Sequence, residues 1–243
     1  MIKSSWSSDI DSKLKEDFIT LVNSVFGNFL TEELFKTKYV DNIYGPSLLT
    51  VAYVDGEPAG VDAMWRNDVC GMKAYQTVDT CVLEQYRGMG LFKRITHYEM
   101  DLLGEDAWVY GYPNVNSYPG YVKMGWKVER LYKTWCFLHY AGGKAIDVID
   151  ENYVKWWLAN QNGITYLNRK EGFFLIRKNK TKPVAVVLGK VDEKTAKLFP
   201  ETKGFLLFKV FDKRCSFYNK KKSIPLIYNK ETKDIPYWKI DAI

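Results

Sequence analysis

The sequence predicts a mixed α/β fold in the first part of the chain, followed by a smaller α+β unit. Apolar residues recur with a helical period over residues 14–26 and 91–102. Alternating apolar runs, which are typical of strands, occupy residues 48–65 and 72–83. Beyond residue 140, short strand-like runs alternate with Lys-, Asn- and Pro-rich turns, which predicts the second unit.

The N-terminal region contains two predicted helices followed by a hairpin. Thr31 comes directly before Glu32 and Glu33, which is typical of an N-cap, and it predicts a second short helix reaching about residue 39. The turn residues Asp55-Gly56 between two apolar runs predict a β-hairpin. The apolar residues that define the first helix are Leu14, Phe18, Leu21, Val22 and Val25.

A glycine-rich turn, Gln85-x-x-Gly88-x-Gly90, connects a predicted strand to a helix that begins at Leu91. Glycine removes the Cβ atoms that would keep an anion away from the main chain. The N–H groups at a helix N-terminus also favour negative charge. The turn therefore predicts a site for a phosphate-bearing cofactor.

Two common nucleotide motifs do not fit this turn. A Walker loop requires Gly-x-x-x-x-Gly-Lys-Ser/Thr, which the sequence lacks. A Rossmann fingerprint requires a third glycine, and Lys93 occupies that position. An ordinary surface turn before a helix remains an alternative for these six residues alone.

The helix that follows the turn is predicted to be amphipathic. Leu91, Ile95, Tyr98 and Leu102 lie on one face, which we expect to contact the sheet. His97 lies on the opposite face, so it is predicted to be a surface residue rather than a catalyst.

A second motif follows the glycine turn at fixed distances. Asn114 is followed by Ser117, Tyr121 and Gly125-Trp126. Together the two motifs resemble those of the GNAT N-acetyltransferase family, in which Gln/Arg-x-x-Gly-x-Gly/Ala precedes Asn, a small residue, Tyr and Gly-Phe. Here Trp126 replaces the more common Phe. The resemblance covers about a third of the chain.

The resemblance implies a fold and a cofactor. The fold would be that of the GNAT acyl-CoA N-acyltransferases, a mostly antiparallel sheet flanked by helices whose two central strands splay apart around acetyl-CoA. Turn amides would hold the pyrophosphate, and the end of the preceding strand would pair with the pantetheine. The residues that the resemblance assigns to acetyl-CoA are Cys81, Val82, Gln85, Arg87, Gly88, Met89, Gly90, Leu91, Asn114 and Ser117.

The resemblance also implies the catalytic residues. Tyr121 would be the general acid that protonates the leaving thiolate, and the N–H of Val82 would stabilise the oxyanion. A core tyrosine is the alternative for Tyr121. The position of the best-known family glutamate is Gln76, which cannot act as a base. Asp79 is therefore the preferred candidate base, and Asp62 is the second.

Composition indicates a soluble enzyme without a metal. Hydrophobic residues make up 47% of the chain, enough to fill a core, and no apolar run approaches the length of a membrane span. The serine-rich N-terminus lacks an apolar signal segment, so we expect a cytoplasmic protein. Four scattered cysteines and two histidines, His97 and His139, do not form a metal-binding pattern.

Charge divides the chain into two predicted domains. Residues 1–140 form the predicted acetyl-CoA-binding catalytic domain and have a net charge of −4, whereas residues 141–243 form a basic α+β domain with a net charge of +10. Solvated hairpin loops explain this excess, as does a surface that attracts an anionic acceptor. Nucleic acid is a third option that the interleaved aromatic residues Phe173, Phe174 and Tyr218 keep open, although no RNA- or DNA-binding motif is present. A degenerate copy of the first domain is a further interpretation.

These observations predict an N-acetyltransferase acting on a small primary amine. A weaker resemblance to bacterial members associated with surface-polysaccharide assembly favours an amino sugar, or an anionic nucleotide-linked amino sugar, as the acceptor. Three alternatives stay open: a protein or peptide acetyltransferase, a non-catalytic acetyl-CoA sensor, and an aminoacyl-tRNA-dependent transferase. The sequence does not define the oligomeric state.

Overall fold

The computed structural model describes residues 1–69, 71–136, 148–178, 184–202, 207–212 and 223–230. The chain divides into two compact units, one formed by Met1–Val128 with Leu226–Lys233 and one by Glu129–Pro225 with Asp234–Ile243. The predicted domain boundary at residue 140 lies outside the described residues.

The strands and helices of both units are numbered here in chain order. The strands are β1 (Ile2–Trp6), β2 (Leu48–Val54), β3 (Glu57–Arg66), β4 (Tyr75–Val82), β5 (Val109–Gly111), β6 (Lys127–Cys136), β7 (Ile164–Arg169), β8 (Gly172–Lys178), β9 (Val184–Val191), β10 (Leu207–Asp212) and β11 (Ser223–Tyr228). The helices are α1 (Ser12–Phe26), α2 (Glu32–Phe35), α3 (Leu91–Leu103), α4 (Tyr118–Lys123), α5 (Glu151–Trp156) and α6 (Glu193–Ala196).

The sheet of the first unit has the strand order β1-β2-β3-β4-β5-β11. Strands β1 to β4 are antiparallel neighbours, β4 and β5 are parallel, and β11 is antiparallel to β5. This arrangement confirms the predicted mixed and mostly antiparallel sheet. Strand β11 lies within residues 141–243, which were predicted to form the basic domain. Its residue Ile227 nevertheless pairs with Gly111 of β5 in the sheet of the first unit.

Local sequence signals set the N-terminal elements. Thr31 caps α2, as predicted. Asp11, which was not predicted as a cap, caps α1 by accepting a hydrogen bond from the Leu14 N–H. Both residues of the turn between β2 and β3 have positive φ, at 50° for Asp55 and 89° for Gly56, which suits a two-residue hairpin. The second predicted helix instead ends at Phe35 and continues as a π-helical turn, Lys36–Val40.

Helices α1 and α3 cover opposite faces of the first unit's sheet. The hydroxyl of Tyr53 on β2 donates to Asp17 on α1 at 2.9 Å, whereas the preceding residue, Ala52, packs with Leu91 and Ile95 of α3. Because successive residues of a strand point to opposite faces, the two helices lie on different sides. The predicted sheet with helices on both faces is confirmed.

The second unit repeats the strand arrangement of the first. Its order is β6-β10-β9-β8-β7, in which β9 and β10 are parallel and the other pairs are antiparallel. In each unit, three antiparallel strands are followed by a strand that is parallel to the third. These strands are β7, β8, β9 and β10 in the second unit and β2, β3, β4 and β5 in the first. A register shift occurs in both series, at β3–β4 and at β8–β9. The repeat supports the prediction of a degenerate copy.

The two units exchange one strand each. Strand β6 follows β5 along the chain but pairs with β10, and β11 follows β10 but pairs with β5. Strand β11, which follows β10 of the second unit, therefore completes the first sheet. Strand β6, which follows β5 of the first unit, completes the second.

Candidate active site

The glycine turn joins β4 to α3 and depends on two left-handed residues. A single 3₁₀ turn, Glu84–Tyr86, follows β4, and φ is 82° at Gly88 and 72° at Gly90. Residues with a Cβ rarely adopt these angles. Gly90 is also the residue that caps α3, and it has no side chain to satisfy the helix N-terminus. The sequence therefore builds a helix end with open backbone donors.

The backbone amides of this turn have space in front of them. A Cβ atom placed on Gly88 or Gly90 would meet no heavy atom within 4 Å. The Arg87 N–H donates to the Glu84 carbonyl at 3.1 Å, but among the described residues the amides of Gly88, Met89 and Gly90 have no acceptor. The turn thus offers unpaired donors beside a helix N-terminus, as an anion site requires.

A gap opens between β4 and β5. The parallel pairing joins Tyr75 to Val109, Gln76 to Tyr110 and Thr77 to Gly111, where β5 ends while β4 continues to Val82. A Cβ atom on Gly111 would lie 2.4 Å from the Cγ2 atom of Thr77, so the close approach at the last pair requires glycine. Past Thr77, the edge of β4 that faces away from β3 has no β5 partner.

The end of β4 presents one backbone amide to this gap. The Leu83 N–H donates to Ala59 at 2.9 Å, at the edge shared with β3. Because the backbone direction alternates along a strand, Cys81 also faces β3 and the N–H of Val82 points away from it. The Cys81 side chain is buried, and burial raises the pKa of its thiol to about 12, so it is not a nucleophile near neutral pH.

The loop before α4 is shaped by Asn114. Its Oδ1 atom accepts hydrogen bonds from the N–H of Asn116 at 2.9 Å and of Ser117 at 3.1 Å, and also from the Ser117 hydroxyl at 3.4 Å. Asn114 is exposed, as is Gln85 in the glycine turn. The carboxamide oxygen of Asn114 is thus occupied in forming the turn that leads into α4.

Tyr121 lies inside the first unit, with its hydroxyl group at the start of the gap. The side chain is 2% exposed, and its hydroxyl oxygen lies 2.8 Å from the hydroxyl oxygen of Thr77. Phe92, in the first turn of α3, packs edge-on against the Tyr121 ring at 4.9 Å. A Cβ atom on Gly120 would lie 2.4 Å from the Phe92 ring, so glycine permits this packing. Phe92 therefore connects the glycine turn to Tyr121.

Asp79 occupies a strained bulge in β4. Its φ is 54°, and the β3–β4 register shifts here, with Val61 opposite Cys81 and Ala63 opposite Val78. A left-handed conformation at a residue other than glycine costs about 1–3 kcal/mol and is common at functional sites. The bulge turns Asp79 away from the regular ladder.

The carboxylate of Asp79 already has two partners. Its Oδ2 atom accepts hydrogen bonds from the Lys38 ammonium at 2.8 Å and from the Tyr39 hydroxyl. Lys38 and Tyr39 belong to the π-helical turn, and burial together with Asp79 raises the pKa of Tyr39 well above its usual range. The sequence analysis did not find these partners, because about 40 residues separate them from Asp79 and no motif connects them.

Two buried carboxyl groups lie behind Tyr121. Asp62 is 0% exposed and accepts hydrogen bonds from Thr80 at 2.6 Å, from Thr77 at 3.1 Å and from the Ala63 N–H at 2.9 Å. Glu99 on α3 is also fully buried next to Asp62, and neither of its carboxyl oxygens has a hydrogen-bond partner among the described residues.

Burial makes this carboxyl pair hold a proton. It raises the pKa of Asp62 to about 6, and burial with the neighbouring Asp62 charge raises the pKa of Glu99 well above its usual range. Two neighbouring buried carboxylates cannot both ionise without a large penalty, so the pair keeps a proton, and the raised pKa of Glu99 assigns it to that residue.

The sequence analysis did not identify Glu99. It predicted that α3 buries Leu91, Ile95, Tyr98 and Leu102, but Tyr98 is 37% exposed and Leu102 is 49% exposed. The buried residues are Leu91, Ile95, Thr96 and Glu99. The spacing of four between Leu91, Ile95 and Glu99 is the signal that could have found this glutamate, although glutamate is seldom fully buried.

Gln76, at the position of the family glutamate, is held in the core. It is fully buried, and its Oε1 atom accepts a hydrogen bond from Asn67 at 2.9 Å. Its amide nitrogen has no partner in the described part of the chain. The Gln76 side chain is therefore held in the core and does not reach the open edge of β4.

The residues that the structure describes contain no cluster of three or more His, Cys, Asp or Glu side chains suited to a metal ion. Among the same residues, no helix is both long and apolar enough to cross a membrane.

Solved structures share this fold. The chain is similar to a GCN5-related N-acetyltransferase from Kribbella flavida, with a TM-score of 0.55 and 13% identity, and the match covers 94% of this chain and 71% of the other. It is also similar to a conserved protein of Enterococcus faecalis V583 described as a probable N-acyltransferase, with a TM-score of 0.54, 13% identity and coverage of 99% and 74%.

No protein-family model matches the sequence, and no curated protein matches it. At 13% identity, the likeness to the two solved structures concerns the fold rather than the reaction. Three features agree with that likeness: the strand order with its bulge in β4, the parallel β4–β5 pair, and the glycine turn before α3. The chain therefore has the GNAT acyltransferase fold.

Proposed function

We propose that the protein is an N-acetyltransferase that moves an acetyl group from acetyl-CoA to a primary amine. The observation that carries the proposal is the open edge of β4. The glycine turn, with its unpaired amides, lies at one end of this edge, and the Tyr121 hydroxyl lies beside Thr77 at the other. The two motifs of the sequence thus meet along a single strand.

The residues along this edge suit acetyl-CoA. The amides from Gly88 to Leu91 would bind its pyrophosphate at the N-terminus of α3, where glycine leaves room for close approach. The free edge of β4 at Val82 would pair with an extended amide-containing arm, as an added strand does. Acetyl-CoA supplies an activated acyl group, so the protein needs to contribute orientation, oxyanion stabilisation and proton transfer.

Three residues would share this chemistry. The N–H of Val82 would donate to the oxygen that gains charge, an interaction whose loss costs other enzymes about 10²–10³ in turnover. Tyr121 would give its proton to the leaving sulfur. The Asp79 carboxylate, fixed by Lys38 and Tyr39, would bind and orient the amine and accept its proton.

For the acceptor we propose an amino sugar, or a nucleotide-linked amino sugar with anionic phosphates. Support comes from the charge of residues 141–243, a net +10, which would attract an anion. A peptide or protein amine is the second candidate, since residues 1–140 have a net charge of −4 that favours a cationic acceptor.

Thiol release from acetyl-CoA tests the reaction and the acceptor together. The panel contains nucleotide-linked amino sugars, free amino sugars, polyamines, lysine peptides and aminoacyl-tRNA. We expect turnover with amino sugars, and a fall of about tenfold to a hundredfold in Tyr121→Phe with acetyl-CoA affinity unchanged, because the acid acts mainly in the transition state. Turnover with peptides alone would exclude the sugar, and acetyl-CoA binding without turnover on any amine would indicate a sensor.

A further inference from the structure

A chain of hydroxyl groups leads from Tyr121 into the core of the first unit. The Tyr121 oxygen lies 2.8 Å from Thr77 Oγ1, which in turn lies 3.1 and 3.3 Å from the two carboxylate oxygens of Asp62. Thr77 is 8% exposed, and Asp62 and Glu99 are 0% exposed. The chain is therefore shielded from water, where hydrogen bonds are electrostatically stronger.

Thr77 cannot serve both neighbours as a donor. Its hydroxyl has one proton, which is directed either to Asp62 or to Tyr121. The Thr77 hydroxyl donates to Asp62, so in the resting protein its oxygen is left to accept from the Tyr121 hydroxyl, 2.8 Å away. Asp62 does not depend on Thr77, because Thr80 at 2.6 Å and the Ala63 N–H at 2.9 Å also donate to it.

We propose that Thr77 is the positioning residue of the acid, a hydroxyl switch that releases the Tyr121 proton and then stabilises the tyrosinate. This inference rests on the proposed function, since it concerns the acid of that reaction. Thr77 is suited to the part because it occupies the last paired position of β4 and β5, opposite Gly111, where the gap begins.

Acetyl transfer moves one proton from Tyr121 and one from the amine. The O–H bond of Tyr121 breaks, and its proton goes to the leaving thiolate of the donor. The Thr77 hydroxyl then rotates from the Asp62 carboxylate to the Tyr121 oxygen and donates to it, without giving up its own proton. The amine nitrogen loses one proton to Asp79, which releases it to solvent, and Tyr121 regains one from solvent when the product leaves. Tyr121, Thr77 and Asp79 are then back in their starting forms.

The other donors to Asp62 make this rotation inexpensive. When Thr77 turns to Tyr121, Asp62 still accepts hydrogen bonds from Thr80 and from the Ala63 N–H. A buried carboxylate with fewer partners would hold the Thr77 proton more firmly. Asp62 thus acts through Thr77 and does not touch the reactants.

Substitution of Thr77 separates the hydroxyl from the side-chain shape. Thr77→Val keeps a β-branched side chain against Gly111 and removes the hydroxyl, whereas Thr77→Ser keeps the hydroxyl and removes the methyl. We expect Val to lower turnover about tenfold to a hundredfold at unchanged KM for acetyl-CoA, and Ser to restore most of it. In the Tyr121→Phe background, Thr77→Val should cause no further loss, because the two residues act as one unit.

A readout without turnover tests the same contact. Thr77→Val and Tyr121→Phe should each lower the Tm by roughly 2–4 °C, and the double variant should lower it by less than the sum. Binding of acetyl-CoA, measured by calorimetry, should be the same in all three variants and in the unmodified protein.

Each outcome decides a different point. If Tyr121→Phe lowers turnover but Thr77→Val does not, or if their effects on turnover multiply, the switch is wrong and the proposed acid stands. If Tyr121→Phe has full activity, the acid of the proposed function is wrong, and the switch falls with it. If Ser is as slow as Val, the shape of Thr77 rather than its hydroxyl is responsible, which also overturns the inference.

Discussion

Replacing Glu99 by glutamine should remove much of the pH dependence of stability. Glu99 is fully buried beside Asp62, and burial raises its pKa well above the usual range. In the unfolded chain the same group ionises near its ordinary pKa of about 4.3. Between these two pKa values the native state therefore holds a proton that the unfolded state has lost. The free energy of unfolding must then fall as pH rises through that window.

The size of the effect follows from proton linkage. Each proton held only by the native state lowers the free energy of unfolding by about 1.4 kcal/mol per pH unit. From pH 5 to pH 7 the unmodified protein should thus lose about 3 kcal/mol that Glu99→Gln keeps. Glutamine has nearly the same shape, and its N–H₂ group can donate to Asp62 at any pH.

Urea unfolding at intervals between pH 5 and pH 8, followed by tryptophan fluorescence, measures this difference. The matched control is Glu16→Gln, which removes one carboxylate from an exposed position on α1. We expect the control to run parallel to the unmodified protein and the Glu99→Gln curve to be flatter. Parallel curves for all three proteins would refute the buried proton on Glu99.

Two other substitutions test the remaining parts of the site. Gly88→Asp should abolish acetyl-CoA binding in calorimetry. The control Gly88→Asn has similar bulk and backbone strain but no charge, so it should weaken binding less. If the Asp variant bound acetyl-CoA as tightly as the unmodified protein, the turn would be excluded as the phosphate site. Lys38→Met should lower the free energy of unfolding by about 3 kcal/mol, because the Asp79 carboxylate stays buried without its cation. Adding Asp79→Asn to Lys38→Met should recover part of that loss in urea titrations, and a further loss would contradict the ion-pair explanation.

Sequence alone was sufficient where one local signal determines the structure. The cap at Thr31 acts within one turn, so the start of α2 was open to prediction. The Asp55-Gly56 turn likewise fixes the β2–β3 hairpin. The cap and the turn depend on short-range sterics, whereas the gap beside β4 was implied only by the family resemblance.

The interior of the site depends on partners that are distant in the chain. The left-handed backbone of Asp79 and its contacts with Lys38 follow from a bulge that only the paired sheet reveals. Glu99 is buried next to Asp62, and burial raises its pKa so that it keeps a proton, a balance that no hydrophobic period contains. Strand β1 also escaped prediction, since its serine-rich sequence gains its stability from pairing with β2.

The exchange of β6 and β11 has a consequence for biosynthesis. Chains emerge from the ribosome N-terminus first, so β5 is made long before Ile227, its partner in β11. Until then the edge of β5 that faces away from β4 presents unpaired N–H and C=O groups. The sheet that carries both motifs is therefore completed only after the strands of the second unit have been made.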